Sequence, residues 1–404
     1  MSATAKIHFT GLNALRFFAA YFVVLHHSET IRHKFGLPNF EGHSFFQNGA
    51  LAVSFFFVLS GFLITYLLLI EIDRTKDVSL RKFYMRRILR IFPLYYLLVF
   101  TGLIAIPVLL YFIDYPNTQP YDTATGGALF LFFLSFVVNA AFGSHFLEPL
   151  WSIGVEEYFY LIWAPLFKKF KPDSNMPLRE VLNQKSLLSG RGLSGVIVGM
   201  IGFKSLLLLF FYFFPSENNA FNIIKDILLS LKFELMAIGG LGALAVFRDR
   251  PAVEKAFFFS PIFQIFVLSL LFVRLFFHNY CVHNEAVVGI TYRFFVFTPV
   301  INIFTEGVLF LWLLLNVSVN PRAFFRLENR LLNRLGEMSY GIYMYQMLVI
   351  FAVVLVFKKL MLQMPPSVSS LFFYSVVTIS VILVSSISKR FFEDRFLVFK
   401  KRFN

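Results

Sequence analysis

Eleven apolar stretches, most of them long enough to cross a bilayer, dominate the chain: residues 12–28, 49–70, 90–112, 126–142, 150–167, 193–214, 223–246, 257–277, 294–316, 338–357 and 371–388. A crossing helix needs ~20 mostly apolar residues. Inside lipid every backbone N–H and C=O must find a partner within its own element, so this pattern folds into helices. Composition agrees. Soluble domains use roughly 45–50% apolar residues; this chain of 404 residues is 58% hydrophobic, holds 57 phenylalanines and has a mean hydropathy of +0.70. No small-residue cleavage site follows the first apolar run, which therefore reads as a span rather than a leader.

Loop charge decides how many stretches cross, because cytoplasmic loops carry the lysines and arginines. If all eleven cross from a cytoplasmic N-terminus, the inside loops hold 10 of these residues and the outside loops 21, which inverts the rule. If 126–142 dips in and returns, or lies flat, the inside segments hold 27 and the outside ones 4. The expectation is thus an all-α polytopic membrane protein of ten spans and one re-entrant or interfacial segment, with both ends cytoplasmic. Residues 1–404 read as a single membrane domain with no appended soluble domain. The net charge of +14 belongs to the cytoplasmic loops and gives no reason to expect a nucleic-acid partner. A single cysteine, Cys281, excludes an internal disulfide framework and cysteine-based metal clusters, and no metal is expected.

Ionisable residues within spans are costly and mark function. In LRFFAAYFVVLHH (15–27), Arg16 and His27 are eleven residues apart, within ~20° of three whole turns, and share a helix face about 16 Å apart along the axis. His26 is rotated ~80° from Arg16. In PLWSIGVEEYFYLIW (149–163), Glu156 and Glu157 lie inside a span, where Glu156 is read as able to orient a histidine. The aromatic residues Trp151, Tyr158, Tyr160 and Trp163 alone would suit an interfacial belt. The basic segment SLRKFYMRRILRIFPLYY (79–96) places Arg86 and Arg90 at i,i+4 and Arg87 and Arg90 at i,i+3, and guanidinium forks suit phosphate oxygens. The other reading is a topology anchor for anionic lipid. Ser60-Gly61 in FFFVLSGFL (55–63) fits close helix packing. Lys232 and Glu234 in LKFELMAIGG (231–240) fit buried ion pairing with neighbouring chain as well as catalysis, and Arg274 and Glu306 fit a pair.

These fragments, with LGEMSYGIYMYQ (335–346) and KRFFEDRF (389–396), occur in an order that resembles the acyltransferase-3 family of membrane O-acyltransferases over most of the chain. The resemblance implies transfer of an acyl group, usually acetyl, from cytoplasmic acyl-CoA to a carbohydrate hydroxyl at the cell surface or on a lipid carrier. It implies an integral protein of the bacterial inner membrane, with membrane lipid around it. It places the first-span arginine on Arg16, the essential histidine on His27, the basic-motif arginines on Arg87 and Arg90, and the acid of the tryptophan-serine motif on Glu156. Arg86 joins the arginines as a third phosphate ligand. The chain departs from the family pattern at Gln346, where many members have histidine, and after Glu393, where many have proline. The alternative is a transporter or flippase of a lipid-linked sugar, but the paired inverted halves of such a protein are not visible.

Overall fold

The computed structural model describes residues 9–112, 120–143, 146–171, 178, 190–215, 218–278 and 299–403; Cys281 lies outside the described residues. These residues are helical throughout, with no strand among them. The helices are α1 (Leu12–Lys34), α2 (Gly49–Thr75), α3 (Leu80–Phe112), α4 (Thr123–Leu131), α5 (Ser135–Phe142), α6 (Leu150–Lys169), α7 (Gly190–Phe213), α8 (Asn219–Ser230), α9 (Phe233–Glu254), α10 (Pro261–Phe276), α11 (Pro299–Ser318), α12 (Arg330–Glu337), α13 (Ser339–Gln363) and α14 (Pro366–Phe399).

Seven units among the described residues are long and apolar enough to cross a membrane: α2, α3, α7, α8 and α9 taken together, α11, α13 and α14. The protein is therefore an all-α polytopic membrane protein. Three of the ten expected crossings do not meet both conditions. Helices α1 and α6 have 23 and 20 residues but carry the ionisable groups singled out above. Helix α10 is apolar but has 16 residues.

Helix α2 forms the centre, with 78% of its most apolar window buried. It packs against α1, α6, α9 and α11. Its closest approach is to α9 and depends on glycine at both ends. A Cβ on Gly61 would lie 2.6 Å from the Met236 Cα, and one on Gly239 would lie 2.8 Å from the Phe62 nitrogen. Small residues that let backbones touch are the usual means of helix association in lipid, and this is the packing role expected for Ser60-Gly61.

The stretch expected to be re-entrant is broken. Helix α4 ends at Leu131, Phe133 takes a left-handed φ of 60°, and α5 starts at Ser135. With 9 and 8 residues, neither piece spans a bilayer. The break is a Schellman turn, with the Leu134 N–H on the Leu129 carbonyl at 2.8 Å and the Phe133 N–H on the Phe130 carbonyl at 3.1 Å. Glycine normally fills such a position; here stacking of the Phe133 ring on Tyr95 at 4.1 Å holds a phenylalanine there. Three tyrosine hydroxyls donate to the three consecutive carbonyls at the break, where helical partners run out. Tyr95 donates to Phe130 O at 3.0 Å, Tyr96 to Leu131 O at 2.8 Å and Tyr158 to Phe132 O at 3.2 Å.

Candidate functional site

A cavity of about 120 Å³ opens between α1, α2, α3, α6 and α13. Arg16, Arg87, Arg90 and Glu156 all line it, together with the hydroxyl residues Ser60, Ser152, Tyr160, Ser339, Tyr340 and Tyr343. On α2 its wall runs from Val53 to Ile64, about 16 Å of helix. Phe56, Phe57, Leu59, Leu63 and Ile91 supply apolar wall between these polar groups, so the charges face one another in a low-dielectric slot.

Each charged group arrives by a separate local device. Arg16 comes from the first turns of α1, and Glu156 from the middle of α6. Arg90 and Arg87 project from α3 about one and two turns before Pro93, whose missing N–H is tolerated within that helix. Arg87 is wedged between aromatic faces, its guanidinium carbon 5.6 Å from the Tyr160 ring centre and 5.9 Å from that of Phe83. Its Nε is buried and unpartnered. Among the described residues neither Arg16, Arg87 nor Arg90 forms an ion pair. Three guanidinium groups thus face one slot against the single carboxylate Glu156, which accepts hydrogen bonds from Ser60 and Tyr160. A low-dielectric cavity with this surplus of rigid, planar donors is built for an anion.

Two expected residues fall elsewhere. Arg86 does not line the cavity: it pairs with Glu71 at 3.0 Å and donates to the Phe403 carbonyl at 2.8 Å, which ties the C-terminal segment to α3. His27 is half-buried, its ring 5.3 Å from that of His26, and is not a wall residue either. Its level is fixed by Gly49, against which His26 packs. Gly49 is four residues beyond Val53, so the histidines stand about 6 Å past the Val53 end of the slot.

The reading in which Glu156 orients a histidine is corrected by the same geometry. Ser60, which bonds Glu156, is eleven residues from Gly49, about 16 Å along α2. Glu156 therefore shares a level with Arg16 and cannot reach the histidines. Tyr160 and Trp163 are not belt residues, being 2% and 1% exposed; the Trp163 indole donates to Thr65 at 2.9 Å. Gln346 is fully buried, donates to the Tyr343 carbonyl at 3.0 Å, and its Oε1 has no partner. Glu393 accepts from Ser388 at 3.1 Å on a widened turn of α14. Sequence reasoning missed the Ser60–Glu156–Tyr160 cluster because each residue had a plausible separate role; the i,i+4 spacing of Glu156 and Tyr160 is the signal that joins them.

A family model described as an acyltransferase domain, that of the acyltransferase-3 family, matches residues 9–388. The chain belongs to the acyltransferase-3 family. Its cavity is therefore the candidate site of an acyltransferase domain, and the match takes in every wall residue. Among curated relatives, YrhL of Bacillus subtilis, whose name assigns it provisionally to peptidoglycan O-acetylation, is 33% identical over 167 residues, 39% of this chain and 23% of that protein. The peptidoglycan O-acetyltransferase OatA of Listeria monocytogenes is 31% identical over 155 residues, 36% of this chain and 23% of its own length. The O-acetyltransferase OatA of Staphylococcus aureus is 30% identical over 172 residues, 40% and 26% respectively. The chain thus aligns with about a quarter of the length of these relatives. No solved structure matches this acyltransferase-3 member.

Proposed function

We propose that the protein transfers an acyl group, acetyl in the simplest case, from cytoplasmic acyl-CoA to a hydroxyl of a cell-surface or lipid-linked carbohydrate. The observation that carries this reading is the convergence of Arg16, Arg87 and Arg90, unpaired among the described residues, on one narrow slot. The names of the relatives, which include peptidoglycan O-acetyltransferase, support the carbohydrate acceptor.

The slot is narrow, walled by five helices along about 16 Å of α2, a shape that suits a slender flexible arm. The donor's phosphates stay at the cytoplasmic mouth with Arg87 and Arg90, and the pantetheine arm runs past Arg16 toward the histidines. Arg86, already held by Glu71 and Phe403, takes no part. Glu156 offsets part of the guanidinium charge and fixes Tyr160 beneath Arg87. At the outer end His27 acts as the base, because a neutral imidazole offers a nitrogen lone pair to a hydroxyl proton. It removes the proton of the sugar hydroxyl as the oxygen attacks the thioester carbonyl, the new C–O ester bond forms, the C–S bond breaks, and the proton passes to the leaving thiolate. The same histidine can instead take the acyl group first and hand it to the hydroxyl. The orientation that fits is ten crossings of the bacterial inner membrane with both termini cytoplasmic, the arrangement favoured by loop charge.

The test is transfer itself. Purified protein incubated with labelled acetyl-CoA and a carbohydrate acceptor should yield labelled ester, and His27→Ala should abolish the product while the variant still folds and binds donor. Retention of substantial transfer in His27→Ala removes the histidine from the chemistry. A complete lack of acyl-CoA binding by the native protein removes the reading as a whole.

A further inference from the structure

A second set of ionisable groups lies outside the slot, where α8 breaks from α9 at Leu231–Lys232. Lys204 of α7 pairs with Glu234 of α9 at 2.5 Å and also donates to the Leu231 carbonyl at 2.9 Å. Arg274 of α10 pairs with Glu306 of α11 at 3.5 Å. Lys204, Glu234 and Glu306 are 8%, 4% and 7% exposed. The expected buried ion pair with neighbouring chain is there for Glu234, which takes Lys204, whereas Lys232 donates among the described residues to the neutral Ser54 hydroxyl at 3.2 Å. All four charged neighbours lie within electrostatic reach of Lys232.

The charges do not cancel. Three cations face two carboxylates among the described residues, and the cation left over is Lys232. An ammonium in the bilayer region with only a hydroxyl partner is costly. Helix α9 starts at Phe233, so the positive end of its backbone adds to the same sign. The position is also telling. Ser54 adjoins Val53 at the outer end of the slot and is five residues, about 7.5 Å, from the level at which His26 packs on Gly49.

We propose that Lys232 anchors an anion-binding site that takes a carboxylate or phosphate oxyanion. Naming the acceptor carbohydrate as its bearer rests on the acyl-transfer reading; the site itself does not. A phospholipid headgroup offers the same oxyanion chemistry.

Three measurements on purified full-length protein decide the matter. The first compares melting midpoints of wild type and Lys232→Met in zwitterionic detergent, with and without sodium phosphate. Removing an uncompensated charge should raise the midpoint in anion-free buffer, and phosphate should stabilise the wild type more than the variant. The arginine slot is common to both proteins, so the difference isolates Lys232. A lower midpoint in Lys232→Met with equal phosphate effects makes the residue a strut for Ser54 and overturns the proposal. Lys232→Gln, which keeps a donor for Ser54 without charge, serves if the methionine variant does not accumulate.

The second measures transfer to an acceptor with a free carboxylate and to the same acceptor amidated. Lys232→Met should raise KM about tenfold for the acid, the worth of one charge-assisted hydrogen bond, and leave the amide and acyl-CoA affinity unchanged. The third repeats the melting in nanodiscs of phosphatidylglycerol or phosphatidylcholine. Phosphatidylglycerol stabilisation lost in Lys232→Met, with equal KM values in the second assay, assigns the site to a lipid headgroup. No dependence on phosphate, acceptor charge or lipid charge overturns it. If the acyl-transfer reading alone is wrong, donor binding and product are absent while the phosphate effect on melting persists.

Discussion

The α2–α9 contact permits a quantitative test, because it is made backbone to backbone. Replacing Gly61 with alanine adds one methyl carbon, which would lie 2.5 Å from the Met236 carbonyl carbon and 2.6 Å from its Cα. Ordinary contacts to a Cβ fall at about 3.4–4 Å, so the helices must part by roughly 1 Å. Neither neighbour is a flexible side chain that can swing away. Overpacking of a tight core costs typically 1–3 kcal/mol, and a rigid partner places Gly61→Ala near about 3 kcal/mol. The damage extends to the slot, because Ser60, the hydroxyl partner of Glu156, is the adjacent residue. Gly199→Ala is the matched control: nothing lies within 4 Å of its Cβ, and alanine favours a helix by about 0.8–1 kcal/mol over glycine. The assay is detergent-titrated unfolding of the two purified variants beside the wild type. Gly61→Ala should be strongly destabilised and Gly199→Ala neutral or more stable. Equal stability of Gly61→Ala and wild type would refute the close crossing and the slot geometry built on it.

Three further outcomes follow from named contacts. Tyr95→Phe removes one of the two hydrogen bonds on the Phe130 carbonyl, which keeps the Phe133 N–H, and should cost about 0.5–1.5 kcal/mol in the same unfolding assay, the net worth of one hydrogen bond; no loss would mean that the α4–α5 break does not depend on the tyrosine. Glu156→Gln leaves an acceptor for Ser60 and Tyr160 but adds net positive charge to the slot, so donor affinity should hold or rise while turnover falls; weaker donor binding would contradict an anion site balanced by that carboxylate. Arg86→Ala should release the C-terminal segment at Phe403, read as faster proteolysis of that end, without changing donor affinity.

The sequence was most legible where a physical rule acts residue by residue. Hydropathy and loop charge placed the helices and singled out 126–142 as the stretch that does not cross. The i,i+3 spacing of Arg87 and Arg90 put both on the face that lines the slot. Legibility failed where the answer depends on which helices become neighbours. Arg86 differs from Arg90 by one turn, yet it meets Glu71 and the chain end. Helix periodicity aligned His27 with Arg16 but gave no measure of where the slot would stop, so the acid assigned to the histidine proved to lie three turns away. A buried ion pair with neighbouring chain was legible for Glu234, but not that its partner would be Lys204, 30 positions away.

The central claim is that the three unpaired guanidinium groups form the seat of the acyl donor. Equilibrium binding of labelled acetyl-CoA to purified wild type, Arg90→Gln and His27→Ala tests it most directly, since Arg90 lines the slot without holding another element in place. Loss of one charge-assisted contact should weaken binding at least about tenfold in Arg90→Gln, with wild-type affinity in His27→Ala. Undiminished affinity in Arg90→Gln would contradict the assignment of the cavity to the donor.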